Sequence, residues 1–141
     1  MFDLDARLAQ DTLPLGDMTL CRVLLMNDLQ YPWLILVPRR PDVAEAFQLD
    51  PRDQLLLHEE SLFTARALAG LYPGAKLNVA ALGNVVRQLH VHHVVRFQGD
   101  PTWPAPVWGR LPAIPYGAAE AHALAGTLRE ALRPRLVPSS A

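Results

Sequence analysis

The chain has 141 residues, half of them hydrophobic and 19% charged, and its 13 basic and 14 acidic side chains leave a net charge of −1. That length suits one domain with a buried core, and the near-even charge argues against nonspecific binding to a nucleic-acid duplex or a solvating acidic tail. Cys21 stands alone, which excludes an intramolecular disulfide, and no apolar run reaches the ~20 residues that cross a bilayer.

Met1-Phe2-Asp3-Leu4-Asp5 has neither the basic nor the apolar region of a secretory signal, so the expected location is the cytoplasm. Residues 3–10, with Leu4 and Leu8 four apart and Asp3 as a cap, predict a short helix. Leu- and Val-rich Met18 to Met26 and uniformly apolar Trp33 to Val37 read as strands, joined through Asn27-Asp28-Leu29-Gln30-Tyr31-Pro32 and closed by Pro38 and Pro41. Asp50-Pro51-Arg52-Asp53 is a helix start, with a capping carboxylate, a proline at the first helical position and an acid near the positive end of the dipole. From there to about Leu71, the residues Leu55, Leu56, Leu62, Phe63 and Ala67 predict an apolar stripe packed on a sheet.

Tyr72-Pro73-Gly74 ends that helix, and Lys76 to Leu82 and Gln88 to Phe97 read as an antiparallel strand pair linked around Gly83-Asn84. From Gln98 to Pro115 seven residues are glycine or proline, which predicts a long irregular loop carrying Trp103 and Trp108. Gly117 to Leu132 is a last helix. The order of elements argues for an α+β fold with an antiparallel sheet, as a single domain over 1–133 and a frayed tail over 134–141.

Chemistry concentrates in Gln88-Leu89-His90-Val91-His92-His93-Val94-Val95. Side chains alternate along a strand, so Gln88, His90 and His92 share one face and His93 points to the other. Imidazole is the side chain whose ordinary titration lies near neutral pH. Three uses compete for the pair: hydrogen-bonded structural residues, metal ligands, or nucleophilic catalysis by a neutral imidazole beside a proton-handling neighbour. Metal ranks low because no cysteine pair or nearby glutamate completes a ligand set, so none is expected. His58 and His122 fall on helices as surface or packing residues, and the two loop tryptophans either cover the site or pack the loop.

This run resembles the motif His-φ-His-φ-His-φ-φ, φ being apolar, of the histidine triad (HIT) family. The likeness extends through Asn27-Asp28, Leu36-Val37-Pro38-Arg39, Leu77-Asn78-Val79-Ala80, Gly83-Asn84-Val85-Val86 and Trp103-Pro104-Ala105-Pro106-Val107-Trp108-Gly109. It implies an antiparallel sheet of about five strands with two main helices, forming a cytoplasmic homodimer without a cofactor. The implied partner is a small-molecule nucleotide, with neither a nucleic-acid duplex nor a membrane. By the same resemblance His90 is the nucleophile toward the α-phosphorus of a dinucleoside polyphosphate or nucleoside phosphoramidate, and the intermediate is a nucleotidyl-histidine. His92 then donates a hydrogen bond to a phosphate oxygen or the leaving group. Gln88 completes the catalytic set at the first triad position, where an amide orients but carries no proton at pH 7. Asn78, the turn Gly83-Asn84-Val85 and Asn27 or Asp28 match nucleotide-binding positions, with tight-turn and loop-capping roles as the alternatives. If the Gln88 replacement abolishes turnover, the implied protein is a non-catalytic nucleotide-binding module. Trp33 stands where some relatives carry a further histidine.

Overall fold

In the computed structural model, which describes residues 1–138, the first helix is α1 (Ala6–Asp11), capped by the Asp5 carboxylate on the Arg7 amide at 2.8 Å. It starts later than expected, and Asp3 lies outside it. β1 (Thr12–Asp17) follows at once, a strand the sequence reading omits because Pro14 and Gly16 break its pattern. It survives as an edge strand, where proline is tolerated, and a bulge between Pro14 and Gly16 uses the +146° φ of the glycine.

β2 (Cys21–Met26) and β3 (Trp33–Pro38) pair antiparallel. The Met18–Leu20 stretch, expected within β2, is a turn closed by the Met18 amide on the Cys21 carbonyl at 2.8 Å. Every residue of β3 is buried, which is why its sequence shows no alternation: both faces of this strand are covered. β4 (Lys76–Ala80) and β5 (Val91–Arg96), antiparallel to each other as the sequence predicts, complete an all-antiparallel sheet of order β1-β2-β3-β5-β4, so β5 is interior.

One face of the sheet packs on α2 (Pro51–Leu71) and α3 (Ala118–Leu132) through Leu34, Leu36, Leu57, Leu68, Leu128 and Leu132. Asp50 caps α2 on the Asp53 amide at 2.8 Å with Pro51 at the start, as the sequence predicts. The buried stripe of α2 is Leu57, Glu60, Thr64 and Leu68; of the expected stripe, Leu56, Phe63 and Ala67 pack partly buried against the core, whereas Leu55 and Leu62 face outward at 66% and 44% exposure. The reason is polar. Glu60 is buried to accept the Leu20 and Cys21 amides at 2.9 and 2.8 Å, so the inward face carries a carboxylate that an apolar pattern search passes over.

The opposite face holds Leu24, Trp33, Ile35 and Val94 under Leu8, Tyr31 and Val107. Arg96, 1% exposed, anchors the loop after β5 through Asp100 at 2.7 Å, the Ala105 carbonyl at 2.8 Å and the Asn78 side chain at 2.9 Å. Of the expected tail, Arg133–Arg135 forms a 3₁₀ turn, Leu136 packs on the core and the Val137 amide reaches the Asp17 carbonyl at 2.8 Å, while residues 139–141 lie outside the described ones. No helix among the described residues is long and apolar enough to cross a membrane.

Candidate active site

β5 begins at Val91 rather than at Gln88, because the stretch before it bonds elsewhere: the Leu89 amide donates to the Val43 carbonyl at 2.9 Å. Within the strand, His92 stands between its register partners Ile35 on β3 and Ala80 on β4, while His93 pairs with Leu34 and faces the helices. His90, just ahead of the strand, turns to the same side as His92. Their ring centroids lie 4.9 Å apart and each residue is 7% exposed.

The partners of the two rings set opposite tautomers. His90 Nδ1 lies 2.6 Å from the main-chain carbonyl of Gln88. A carbonyl only accepts, so Nδ1 carries the proton and Nε2 keeps a free lone pair. Trp33 Nε1 donates to His92 Nδ1 at 3.0 Å. An indole only donates, so His92 Nδ1 is bare and its proton sits on Nε2. Adjacent side chains of one residue type thus present a lone pair and an N–H. Burial first, and the neighbouring His90 and His93 second, push the His92 pKa down to about 3, which keeps it neutral. The indoles of Trp33 and Trp108 form its walls, with ring centroids 5.6 and 5.2 Å from the imidazole.

His90 and His92 open into a cavity of about 640 Å³. Its rim on one side is the β4–β5 connection, including Gly83, Asn84 and Val85, the three turn residues expected to approach a ligand. Gly83 has φ of +75°, a backbone conformation that glycine adopts without strain. The remaining expected contacts do not line this cavity. Asn27 Oδ1 accepts the Tyr116 amide at 2.9 Å, and buried Asp28 accepts the Gln30 and Ile114 amides at 3.1 and 3.3 Å, so both tie down the segment leading to α3. Asn78 shares the face of His92, but its Oδ1 accepts from Arg96. The amide of Gln88 is turned to the N-terminal segment, with Oε1 accepting from the Asp5 amide at 2.8 Å and Nε2 donating to the Asp3 carbonyl at 2.9 Å.

Sequence reasoning missed the opposite wall. Arg7, Leu8, Asp11 and Thr12 line the cavity from α1 and the start of β1, and Met26 and Ile35 form its floor. Nothing in the pattern of residues 3–10 distinguishes a pocket wall from a surface helix. Trp108, read as a loop residue able to cover the site, does line the cavity, and Trp103 instead packs against the Arg96 guanidinium, 5.6 Å from its ring. His93 is fully buried on the other face, as the alternation predicts, with Nε2 2.7 Å from the Ser61 hydroxyl on α2, while His58 and His122 are exposed. Among the described residues no three His, Cys, Asp or Glu side chains converge as metal ligands.

A five-stranded α+β domain with paired, oppositely protonated imidazoles at one cavity defines a class of histidine-based site. The HIT domain family model matches residues 8–99. Three solved bacterial histidine triad proteins are similar over nearly the whole chain. The one from Marinobacter aquaeolei VT8 is 47% identical with a TM-score of 0.93, covering 96% of this chain and 98% of its own. The one from Sinorhizobium meliloti 1021 is 47% identical with a TM-score of 0.91, covering 94% and 98%. The one from Bradyrhizobium japonicum is 43% identical with a TM-score of 0.89, covering 96% and 98%. No curated protein matches. The chain belongs to the histidine triad family.

Proposed function

We propose that this protein is a nucleotidyl hydrolase or transferase in which His90 attacks the α-phosphorus of a dinucleoside polyphosphate or nucleoside phosphoramidate. The observation that carries the reading is the opposed tautomers: His90 Nε2 offers a lone pair and His92 Nε2 an N–H, on rings 4.9 Å apart. In the first step the Nε2 pair of His90 forms a bond to phosphorus, and the bond from phosphorus to the leaving oxygen or nitrogen breaks. The leaving group takes that electron pair and a proton from solvent water, while His92 Nε2–H steadies the charge developing on oxygen. The nucleotidylated ring is an imidazolium still donating through Nδ1 to the Gln88 carbonyl, which stabilises its charge. Water or another acceptor then attacks phosphorus and loses its proton to solvent, and His90 leaves with its pair. Every group invoked is a side chain or carbonyl of this chain, so no cofactor is assigned.

A cavity of about 640 Å³ walled largely by apolar side chains suits a nucleoside, and Gly83 to Val85 offer backbone to its phosphate. Asn27, Asp28 and Asn78, the other assigned nucleotide contacts, support it through the loops they hold. We assign the protein to the cytoplasm as a homodimer. A non-catalytic nucleotide-binding module is the second reading, favoured by the engagement of the Gln88 amide with Asp3 and Asp5 rather than with either imidazole. Incubation with α-labelled substrate and an alkaline denaturing quench separates the two. Hydrolysis predicts an acid-labile nucleotidyl adduct on the wild type and none on His90→Ala, whereas binding of adenosine monophosphate with no adduct establishes the module.

A further inference from the structure

We propose that Gln88 is a positioning residue that holds the N-terminal wall of the cavity, and so sets affinity for the nucleoside end of the substrate; this rests on the reading above. Its side-chain amide meets Asp3 O and Asp5 N, a carbonyl and an amide on the same edge of an extended chain. One planar group that both donates and accepts imitates the pairing of a parallel strand. A carboxylate would satisfy one of the two partners. An alkyl chain would satisfy neither.

The clasp falls where it governs the pocket. Asp5 is the cap of α1, through its carboxylate on the Arg7 amide and its carbonyl under the Ala9 amide at 2.8 and 3.0 Å. α1 then presents Arg7, Leu8 and Asp11 to the cavity, and Arg7 Nη1 reaches across to the Val85 carbonyl on the facing rim at 3.1 Å. Both rims of the cavity are therefore fastened to one residue: Gln88 lies in the β4–β5 connection, grips the segment that leads into α1, and aims His90 with its own carbonyl. The side chain is dedicated to the wall and the main chain to the nucleophile, which separates the two effects by experiment.

Gln88→Met keeps the bulk of the side chain and the carbonyl while removing both clasping bonds, and Gln88→His reinstates an imidazole. For Gln88→Met, KM for a nucleoside phosphoramidate and Kd for adenosine monophosphate rise about tenfold, the worth of two neutral hydrogen bonds, and the loss falls on KM rather than kcat. The pH profile of kcat keeps its shape. Without any ligand, amide exchange over residues 6–12 speeds up relative to wild type. Gln88→His shows the same rise in KM and no gain in kcat. Unchanged exchange in α1, a fall in kcat at constant KM, or a kcat raised by Gln88→His would each overturn the proposal. A wild type that binds no nucleotide defeats the functional reading alone, because the exchange comparison still judges the clasp.

Discussion

Trp33 Nε1 lies 3.0 Å from His92 Nδ1, and because indole can only donate, this single contact decides which nitrogen of His92 bears its proton. Trp33→Phe removes the donor while keeping an aromatic ring on β3. His92 then distributes between tautomers and presents Nε2–H only part of the time. We expect kcat to fall about tenfold, the worth of one hydrogen bond in a buried site, with KM little changed. Imidazole nitrogen shifts in the wild type should report protonation at His92 Nε2. Protonation at Nδ1 would contradict the assignment.

Acid should destabilise the fold through the same strand. Burial holds the pKa of His92 down at about 3 and, with the same main cause, that of His93 at about 4, against 6.5 for the free side chain. Between 6.5 and 4 the unfolded chain binds protons that the folded one refuses. Stability is therefore complete above 6.5 and falls as the pH drops toward 4 and then 3. Where both groups contribute, the slope approaches roughly 2.7 kcal/mol per pH unit. Urea unfolding of His93→Gln should show a shallower slope over this interval than wild type, and an equal slope would refute the assignment.

Glu60 holds the turn between β1 and β2 from α2. Glu60→Ala strands the Leu20 and Cys21 amides without their acceptor in a buried setting, and we expect a loss of about 2–4 kcal/mol in chemical denaturation. Glu60→Gln retains one acceptor oxygen and turns a donor toward the second amide, so it should fall between the two. A stability change under ~0.5 kcal/mol for the alanine variant would remove the carboxylate from the account.

β4 is an outer strand of the sheet, and Val79 on it is 49% exposed. An uncovered edge with an apolar side chain invites pairing with a second copy. Sedimentation should give twice the 15.6 kDa of one chain, and Val79→Lys should shift the population toward the monomer. A monomer at all concentrations would exclude the homodimer.

Much of this architecture could be read directly from residue order. The cap and proline at Asp50-Pro51 and the buried run of β3 follow from short-range chemistry, because capping and a continuous apolar run are local signals. So does the placement of His92 and His93 on opposite faces, since a pleat fixes faces without reference to the rest of the molecule, whereas His90 reaches the side of His92 from ahead of the strand. β1 was hidden by Pro14 and Gly16, which are acceptable only because the strand is at an edge, and edge position is a property of the assembled sheet. The inward face of α2 is only partly legible for a related reason, Leu56, Phe63 and Ala67 packing on the core while Leu55 and Leu62 do not. Its central residue is a glutamate whose partners, the Leu20 and Cys21 amides, lie about forty positions away in the chain.

Residue identity alone supplied the two imidazoles and the opposite facing of His92 and His93, for alternation depends on covalent geometry repeated every two residues. It did not supply the protonation pattern of His90 and His92, because a histidine tautomer is chosen by whichever donor or acceptor tertiary packing brings to Nδ1. Here those partners are a carbonyl two residues back and an indole on another strand, 59 positions distant. The wall formed by α1 likewise came only with folding, since the Gln88 clasp joins atoms 83 and 85 residues apart.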